Sequence, residues 1–150
     1  MNWPRFSIII PTYNRPEQCL KAVFSVINQI YTHWELAIIN DGSEQPYNNL
    51  IQQIKAYKNI KYYYKKNEGL SSTRNFGVSH TKEKFVCFLD DDDYYLPNHL
   101  KVLANEIMNK GGAIGLYHTM HKNLMPDGTY QIPIFKPKNL SQSYNEYYLT

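Results

Sequence analysis

Residues 85–97, FVCFLDDDDYYLP, join a continuous apolar run to four consecutive aspartates. The apolar residues Phe85 to Leu89 do not alternate with polar ones, which predicts a strand buried on both faces of a parallel sheet. Asp90 to Asp93 then lie at the carboxyl end of this strand, the edge at which open α/β sheets bind ligands. Alternate carboxylates, here Asp90 and Asp92, suit Mg²⁺ or Mn²⁺, which complete their coordination with water and substrate phosphate. The segment therefore predicts a metal-diphosphate site.

The four aspartates also have a purely structural explanation. Acidic runs are usually solvated, and aspartate is favoured at the start of a helix, where it caps backbone N–H groups and interacts with the helix dipole. The acids precede residues 94–97, YYLP, at the start of a predicted helix. Their position directly after a buried strand favours the ligand site over this alternative.

Length and composition predict one ordinary globular domain. The chain has 150 residues, of which 43% are hydrophobic and 19% charged. A formal net charge of +3, spread along the sequence, argues against a nucleic-acid partner. The mean hydropathy of -0.54 and the lack of an apolar run of about 18 residues predict no membrane-spanning helix. Cys19 and Cys87 are not spaced as metal ligands, so we expect buried free thiols in a reducing compartment, which predicts a cytoplasmic location.

The periodicity of the first 112 residues predicts alternating strands and helices. Strands are expected to begin near residues 6, 36, 60 and 85, with an amphipathic helix after each. This spacing is typical of βαβ units, which build a mainly parallel sheet with helices on both faces. The first helix is predicted to have Asn14 as its N-cap and Pro16 in its first turn. The fourth is predicted to end at Gly111 and Gly112.

Residues after Gly112 follow a different pattern. Residues 114–120 predict a strand, and the turn sequence PDGT at 126–129 joins that strand, or a short neighbour, to Tyr130 and the residues after it. This arrangement predicts an antiparallel hairpin. The predicted fold class is therefore α/β, a mainly parallel sheet with a C-terminal antiparallel hairpin.

Three polar loops should meet at the carboxyl edge of the predicted sheet, at residues 11–14, 40–43 and 90–93. Tyr13 offers a face for a nucleotide base, Asp41 offers an acceptor for an imide N–H, and the aspartates offer ligands for a diphosphate-bound cation. Arg74 and Lys66 are placed to offset phosphate charge. Neither G-x-G-x-x-G nor a Walker A sequence occurs, so phosphate is expected to be held through a metal ion.

Four segments of the chain resemble the ordered motifs of the family 2 glycosyltransferases, which have the Rossmann-like GT-A fold. They are SIIIPTYNR at 7–15, NDGS at 40–43, NEGLSSTRN at 67–75 and LDDDD at 89–93. The resemblance covers about residues 5–110. It implies a nucleotide-sugar donor, usually UDP-linked, and a divalent ion held through a D-x-D motif.

The resemblance also implies roles for single residues. Six would bind the donor nucleotide, the first three of them around its base: Pro11, Thr12, Tyr13, Asp41, Arg74 and Asp91. Asp41 would accept a hydrogen bond from the base, and Asp91 would lie near the ribose. Asp90 and Asp92 would be the outer members of D-x-D, with Asp92 a direct ligand of Mn²⁺ or Mg²⁺. Asn40 stands where the family commonly has aspartate, so a contact made by that acid would be weaker here.

The catalytic base is not evident in the sequence. Enzymes that this chain resembles place a carboxylate base well after D-x-D, and only Asp127 and Glu146 follow Glu106. Asp127 lies in a Pro-Asp-Gly turn and Glu146 in a weakly patterned terminal segment, so neither is assigned as the base. We expect one truncated GT-A-like donor-binding domain, with residues 1–112 as its nucleotide-binding part and 113–150 as the start of an acceptor-binding part.

The expected function is that of an inverting, metal-dependent glycosyltransferase. The resemblance implies transfer from a nucleotide sugar to a hydroxyl of a saccharide or lipid-linked saccharide, in glycan or polysaccharide biosynthesis. A lipid-linked acceptor would allow peripheral attachment at the inner face of the membrane. Two alternatives stay open, a non-catalytic nucleotide-sugar-binding module and a metal-dependent nucleotidyltransferase.

Overall fold

The computed structural model describes residues 3–112, 115–117, 119 and 122–131. Backbone contacts divide the chain into two compact units, the first ending at residue 113. The first unit alternates strands and helices along the sequence. Its elements are β1 Phe6–Thr12, α1 Pro16–Ile27, β2 Trp34–Asp41, α2 Asn48–Ile54, β3 Ile60–Lys65, α3 Leu70–Ser79, β4 Phe85–Phe88 and α4 His99–Asn109.

The four strands form one parallel sheet in the order β3-β2-β1-β4. β1 is central, pairing with β2 from Phe6 to Thr12 and with β4 from Phe6 to Ile9. Side chains of β1 alternate between the two sheet faces. Ile9 packs in a core cluster with Ala37 and Ile39, against which Phe76 of α3 lies, while Ile8 and Ile10 are fully buried on the other face. The predicted α/β fold with a mainly parallel sheet is confirmed.

The prediction that β4 is buried on both faces is wrong. Val86 and Phe88 are 39% and 45% exposed, and Phe85 and Cys87 are only half-buried. Phe88 is aligned with Ile9 of β1, so both side chains lie on the face that α3 covers over β1 and β2. The residues of α3 do not extend this cover across β4, apart from Arg74, whose guanidinium lies 5.5 Å from the centroid of the Phe88 ring. Of the two predicted buried thiols, Cys19 is buried and Cys87 is half-buried.

The start of α1 differs from its prediction in one residue. Arg15, not Asn14, occupies the N-cap position, without a side-chain capping bond, and Pro16 begins the helix as predicted. Asn14 has a positive φ of 54°, a conformation that asparagine tolerates better than most residues. Its side-chain oxygen instead accepts hydrogen bonds from the backbone N–H groups of Glu44 and Gln45, at 2.9 and 3.3 Å. Asn14 therefore ties the loop after β1 to the loop after β2.

The end of α4 and the C-terminal hairpin are as predicted. The backbone N–H groups of Gly111 and Gly112 bond back to the carbonyls of Met108 and Ile107, which closes the last turn of α4. In the second unit, β5 Asn123–Leu124 pairs antiparallel with β6 Tyr130–Gln131. Of the predicted strand at 114–120, residues 115–117 and 119 are not in a strand; the rest, with Glu146, lies outside the described residues. Within the described part of the chain, no helix combines the length and apolar character needed to cross a membrane.

We expect the substitution Gly77→Ala to destabilise the first unit. A Cβ atom at this position of α3 would lie 2.4 Å from Cγ2 of Ile9, a fully buried core side chain. Overpacking of this kind costs about 1–3 kcal/mol, whereas Gly→Ala in an open helix stabilises by about 0.5–1 kcal/mol. Urea unfolding should show a lower midpoint for Gly77→Ala, and little change for Val78→Ala on the exposed side of the same helix. A raised midpoint for Gly77→Ala would contradict the close contact between α3 and β1.

Candidate functional site

The carboxyl ends of the parallel strands surround a cleft of about 360 Å³. Five of the six residues predicted to bind the donor nucleotide line it: Pro11, Thr12, Tyr13, Asp41 and Asp91. Arg15, Asn67, Gly69, Leu70 and Thr73 complete the lining. β1 ends at Thr12 and β2 at Asp41, and the two strands are parallel neighbours in the sheet. Their pairing therefore brings the first two loops together. The predicted convergence of the loops is a feature of the fold.

The Asp41 carboxylate is the best-anchored group of the cleft. Oδ1 accepts hydrogen bonds from Nζ of Lys65 at 2.7 Å and the backbone N–H of Glu68 at 3.0 Å, and Oδ2 accepts from the N–H of Gly69 at 2.9 Å. Both side chains of the Asp41–Lys65 pair are buried. Burial alone would raise the pKa of Asp41, but hydrogen bonds from Lys65, from the two amides and from the Thr73 side chain hold this pKa below its ordinary value. Asp41 is therefore an anion at neutral pH, and it also holds the start of α3 against β2.

Asn40 has a structural role next to Asp41. Its Oδ1 accepts a hydrogen bond from the backbone N–H of Ser43 at 2.8 Å, and its Nδ2 donates to the hydroxyl of Tyr62 at 2.6 Å. The side chain is buried and uses an amide's ability to accept and donate at once, which a carboxylate lacks. Asn40 thus shapes the turn that presents Asp41.

Tyr13 and Thr12 point in different directions from neighbouring positions. The Tyr13 side chain is 47% exposed at the cleft, whereas Thr12 is buried. Oγ1 of Thr12 donates to Oδ2 of Asp91 at 2.8 Å and is 2.7 Å from the hydroxyl of Tyr47. Tyr47, which sequence reasoning missed, also accepts a hydrogen bond from the backbone N–H of Arg15 at 3.1 Å. Its only sequence signal is its place shortly after the Asn-Asp-Gly-Ser turn.

The first three of the four aspartates after β4 have different environments. The side chain of Asp91 is only 9% exposed, whereas those of Asp90 and Asp92 are 46% and 57% exposed. Arg74, predicted to lie near the nucleotide, does not line the cleft; its Nη2 instead donates to Oδ1 of Asp90 at 2.6 Å. Asp91 is thus part of the folded framework, and the outer two acids of D-x-D face solvent.

Arg15 is a second residue that sequence reasoning missed. Its Nη1 lies 3.2 Å from Oδ1 of Asp91 and 2.7 Å from Oδ2 of Asp92. The charges of Asp91 and then Asp92 raise the pKa of this guanidinium, so Arg15 stays protonated. The arginine directly after the Pro-Thr-Tyr-Asn motif was the available signal, but its acidic partners are more than 75 residues away along the chain.

The acid cluster suits a divalent ion that shares its coordination with a ligand. Asp90 and Asp92 each have a solvent-facing carboxylate, and each is paired with an arginine through one oxygen, Oδ1 of Asp90 with Arg74 and Oδ2 of Asp92 with Arg15. No group of three or more His, Cys, Asp or Glu side chains among the described residues is arranged to enclose a metal ion. Mg²⁺ and Mn²⁺ are commonly held by one or two carboxylates together with water and substrate phosphates. The donor set therefore fits a cation that arrives with a diphosphate.

A second cavity, of about 280 Å³, lies at the opposite edge of the sheet. It is lined near the strand starts by Trp34, Glu35 and Glu83, among others, and by none of the predicted site residues. Glu35 has a structural role there, since its Oε1 accepts hydrogen bonds from the Ser7 hydroxyl and from the backbone N–H groups of Lys82 and Glu83. The cleft at the carboxyl edge is accordingly the candidate functional site.

The fold is that of the GT-A glycosyltransferases. Residues 1–349 of TarS from S. aureus, in a crystal structure with UDP-GlcNAc, superpose with a TM-score of 0.66 at 23% sequence identity, over 79% of this chain and 39% of the TarS chain. At that identity the similarity shows the fold alone.

Sequence comparison then identifies the family. The profile described as glycosyl transferase family 2 matches residues 7–148, so the chain belongs to this family, as its motifs predicted. An uncharacterized glycosyltransferase of Rickettsia bellii (strain RML369-C) is 37% identical over 126 residues, 84% of this chain and 18% of the relative. Chondroitin synthase of Pasteurella multocida (strain Pm70) is 32% identical over 147 residues, 92% of this chain and 15% of the relative. The chain therefore spans less than a fifth of these two curated relatives.

We expect Asp41→Asn to lower the free energy of unfolding by about 2 kcal/mol at pH 7, because it weakens the bonds to Lys65 and two amides and leaves Lys65 only the exposed Glu68 as an anionic partner, at 3.0 Å. The pKa of Asp41 is lower in the folded chain than in the unfolded chain, so its ionised form stabilises the fold at any pH above the unfolded pKa. This stabilisation is lost as the pH falls towards the folded pKa. The stability difference between wild type and Asp41→Asn should therefore shrink below about pH 4. Urea unfolding between pH 7 and pH 3 measures it, with Glu44→Gln on the exposed surface as the control. A difference that does not change with pH would contradict the ionised, hydrogen-bonded Asp41.

Proposed function

We propose that this chain is the donor-binding part of an inverting, metal-dependent glycosyltransferase that uses a UDP-sugar. The observation that carries the proposal is the cleft, which is lined by the exposed ring of Tyr13, the anchored carboxylate of Asp41 and Asp91, the middle acid of D-x-D. Asp90 and Asp92 do not line this cleft; they lie on either side of Asp91 in the chain, with solvent-facing carboxylates. These groups match a nucleoside diphosphate. The aromatic ring can stack on the flat base, the anchored carboxylate can accept from the N–H of that base, and the acids can hold a cation that the diphosphate chelates. Membership of family 2 and the UDP-GlcNAc bound to TarS support a nucleotide-sugar donor.

The base of the donor is proposed to lie between Tyr13 and Asp41. Asp41 lines the cleft, and its Oδ2, which accepts from the N–H of Gly69 at 2.9 Å, is proposed to accept the imide N–H of uracil as well. The lowered pKa of Asp41 keeps that oxygen an acceptor at neutral pH. The exposed face of Tyr13 provides a stacking surface beside it.

The diphosphate is proposed to lie at the solvent-facing carboxylates of Asp90 and Asp92. A bound Mn²⁺ or Mg²⁺ would supply charge stabilisation for the departing nucleoside diphosphate. The residues of this chain would hold that cation through Asp92, with Asp90 beside it, while Asp91 supports the loop from below through Thr12. An acceptor hydroxyl would attack the anomeric carbon of the sugar from the opposite side, which inverts its configuration.

No described residue is assigned as the catalytic base. Oδ1 of Asp127 accepts hydrogen bonds from both the N–H and the hydroxyl of Thr129, and these bonds lower the pKa of Asp127. A low pKa and a place in the hairpin turn are poor properties for a group that must take a proton near neutral pH. We propose a saccharide or lipid-linked saccharide as the acceptor, and a cytoplasmic reaction, at the inner face of the membrane when the acceptor is lipid-linked.

We expect UDP to bind the chain in the presence of Mn²⁺ and to bind much more weakly in EDTA. Asp92→Asn should reduce the affinity for UDP with Mn²⁺ on the order of tenfold or more, because it removes a charged oxygen ligand. Isothermal titration calorimetry measures both effects. Asp127→Asn removes an acid of the hairpin and should leave UDP binding unchanged. If the folded wild-type chain binds no UDP in the presence of Mn²⁺, the proposed donor site is wrong.

We expect Tyr13→Ala to weaken UDP binding about tenfold, since stacking of a base on an aromatic ring contributes about 1–3 kcal/mol. Tyr13→Phe keeps the ring and should bind UDP nearly as well as wild type. Titrations of UDP and of inorganic diphosphate into both variants show whether the lost affinity comes from the nucleoside or from the diphosphate. A loss of affinity that is equal for UDP and diphosphate would show that Tyr13 does not contact the base.

A further inference from the structure

The positively charged guanidinium of Arg15 contacts Asp92, whose carboxylate is proposed to bind the metal ion. Its Nη1 bridges Oδ1 of Asp91 and Oδ2 of Asp92, at 3.2 and 2.7 Å. The backbone N–H of Arg15 is held at the same time by the hydroxyl of Tyr47. The base of the side chain is therefore fixed in the cleft, while its tip rests on the acid cluster.

The two contacts of Arg15 differ in how easily they can be exchanged. Asp91 is nearly buried, and its other oxygen is bonded to Thr12, so its geometry is set by the fold. Asp92 is the most exposed of the three acids, and the side chain of Arg15 is itself half exposed. Exposed ion pairs of this kind contribute little net free energy, so the Arg15–Asp92 contact is one that a divalent cation can replace.

The guanidinium of Arg15 has N–H donors besides those that contact the two aspartates. Both contacts use Nη1, so within the part of the chain that the structure describes Nε and Nη2 are left for further acceptors. Arg15 also lines the cleft itself, beside Tyr13 and Asp91, whereas Arg74 is engaged with Asp90 outside that lining. A planar guanidinium binds phosphate oxygens through two donors at once.

We propose that Arg15 is a displaceable counterion of the acid cluster. In the free chain it neutralises Asp92; when the cation and diphosphate arrive, it releases Asp92, keeps its contact with Asp91, and donates to a diphosphate oxygen. This inference rests on the proposed donor site and adds a regulation to it. Arg15 competes with the metal ion when no nucleotide is present and assists once the diphosphate provides an acceptor. Metal and nucleotide would therefore strengthen each other's binding.

The test is to titrate Mn²⁺ alone, and UDP in saturating Mn²⁺, into wild type and Arg15→Gln. Arg15→Gln should bind Mn²⁺ alone about three- to fivefold tighter, because the competing cation is gone. The same variant should bind UDP in Mn²⁺ about tenfold more weakly, because a charged phosphate donor is lost. A gain in metal affinity cannot come from damage to the fold, which would lower both affinities.

Three further variants serve as controls. Arg15→Lys retains a positive charge and should keep the weak Mn²⁺ binding of wild type, and it is also the test variant if Arg15→Gln does not fold. In that case a Mn²⁺ affinity of Arg15→Lys well above that of wild type overturns charge competition. Arg5→Gln removes an exposed arginine that pairs with Glu83 at the strand starts and should change neither titration. Asp92→Asn identifies the Mn²⁺ site, since the heat of Mn²⁺ binding should disappear with it.

The outcomes separate this inference from the proposed function. Wild-type binding of UDP in Mn²⁺ together with an unchanged or reduced Mn²⁺ affinity in Arg15→Gln overturns the counterion role alone. Tighter Mn²⁺ binding in Arg15→Gln together with no UDP binding in any variant supports the counterion role and overturns the donor site. No binding of either ligand by any folded variant overturns both.

Discussion

The parallel pairing of β1 with a strand on each side is the constraint on which the site depends. Hydrogen bonds to β2 and β4 align the three strands in one direction, so that all of them end at the same edge of the sheet. The fully buried aliphatic side chains of β1 and β2 make the register of these two strands costly to shift, since a slip by one residue would turn each core side chain to the other face. The loops that carry Tyr13, Asp41 and Asp92 are positioned by this register.

A layer of polar contacts then converts the sheet edge into a rigid cleft. Asp41 holds the loop before α3, and Asn14 holds the loop after β2. On the other side, Tyr47, Thr12 and Asp91 form a buried chain of hydrogen bonds. These contacts order the backbone around the cleft before any ligand binds, which reduces the entropy that binding must overcome. The exposed groups, Tyr13 and the outer acids, are left for recognition.

The sequence predicts this part of the molecule well for a specific reason. Strand starts, helix periodicity and the polar residues that end each strand are local signals, and parallel strands of βαβ units must align their ends. The positions of Pro11, Asp41 and Asp91 at one cleft follow from that logic alone. The N-cap of α1 was mispredicted because Asn14 makes its hydrogen bonds to another loop, a competition that the helix signal does not contain.

The sequence by itself determined the α/β order, the family and the sheet edge at which the site lies, because these depend on short apolar runs and the motifs between them. Only the tertiary structure decided that β4 is half-exposed, since its apolar run is the same whether or not α3 reaches over it. Only the tertiary structure paired Arg15 with Asp92 and Arg74 with Asp90. Such pairs join distant segments of the chain, and a charged side chain selects its partner by distance in the folded molecule, which no local pattern encodes.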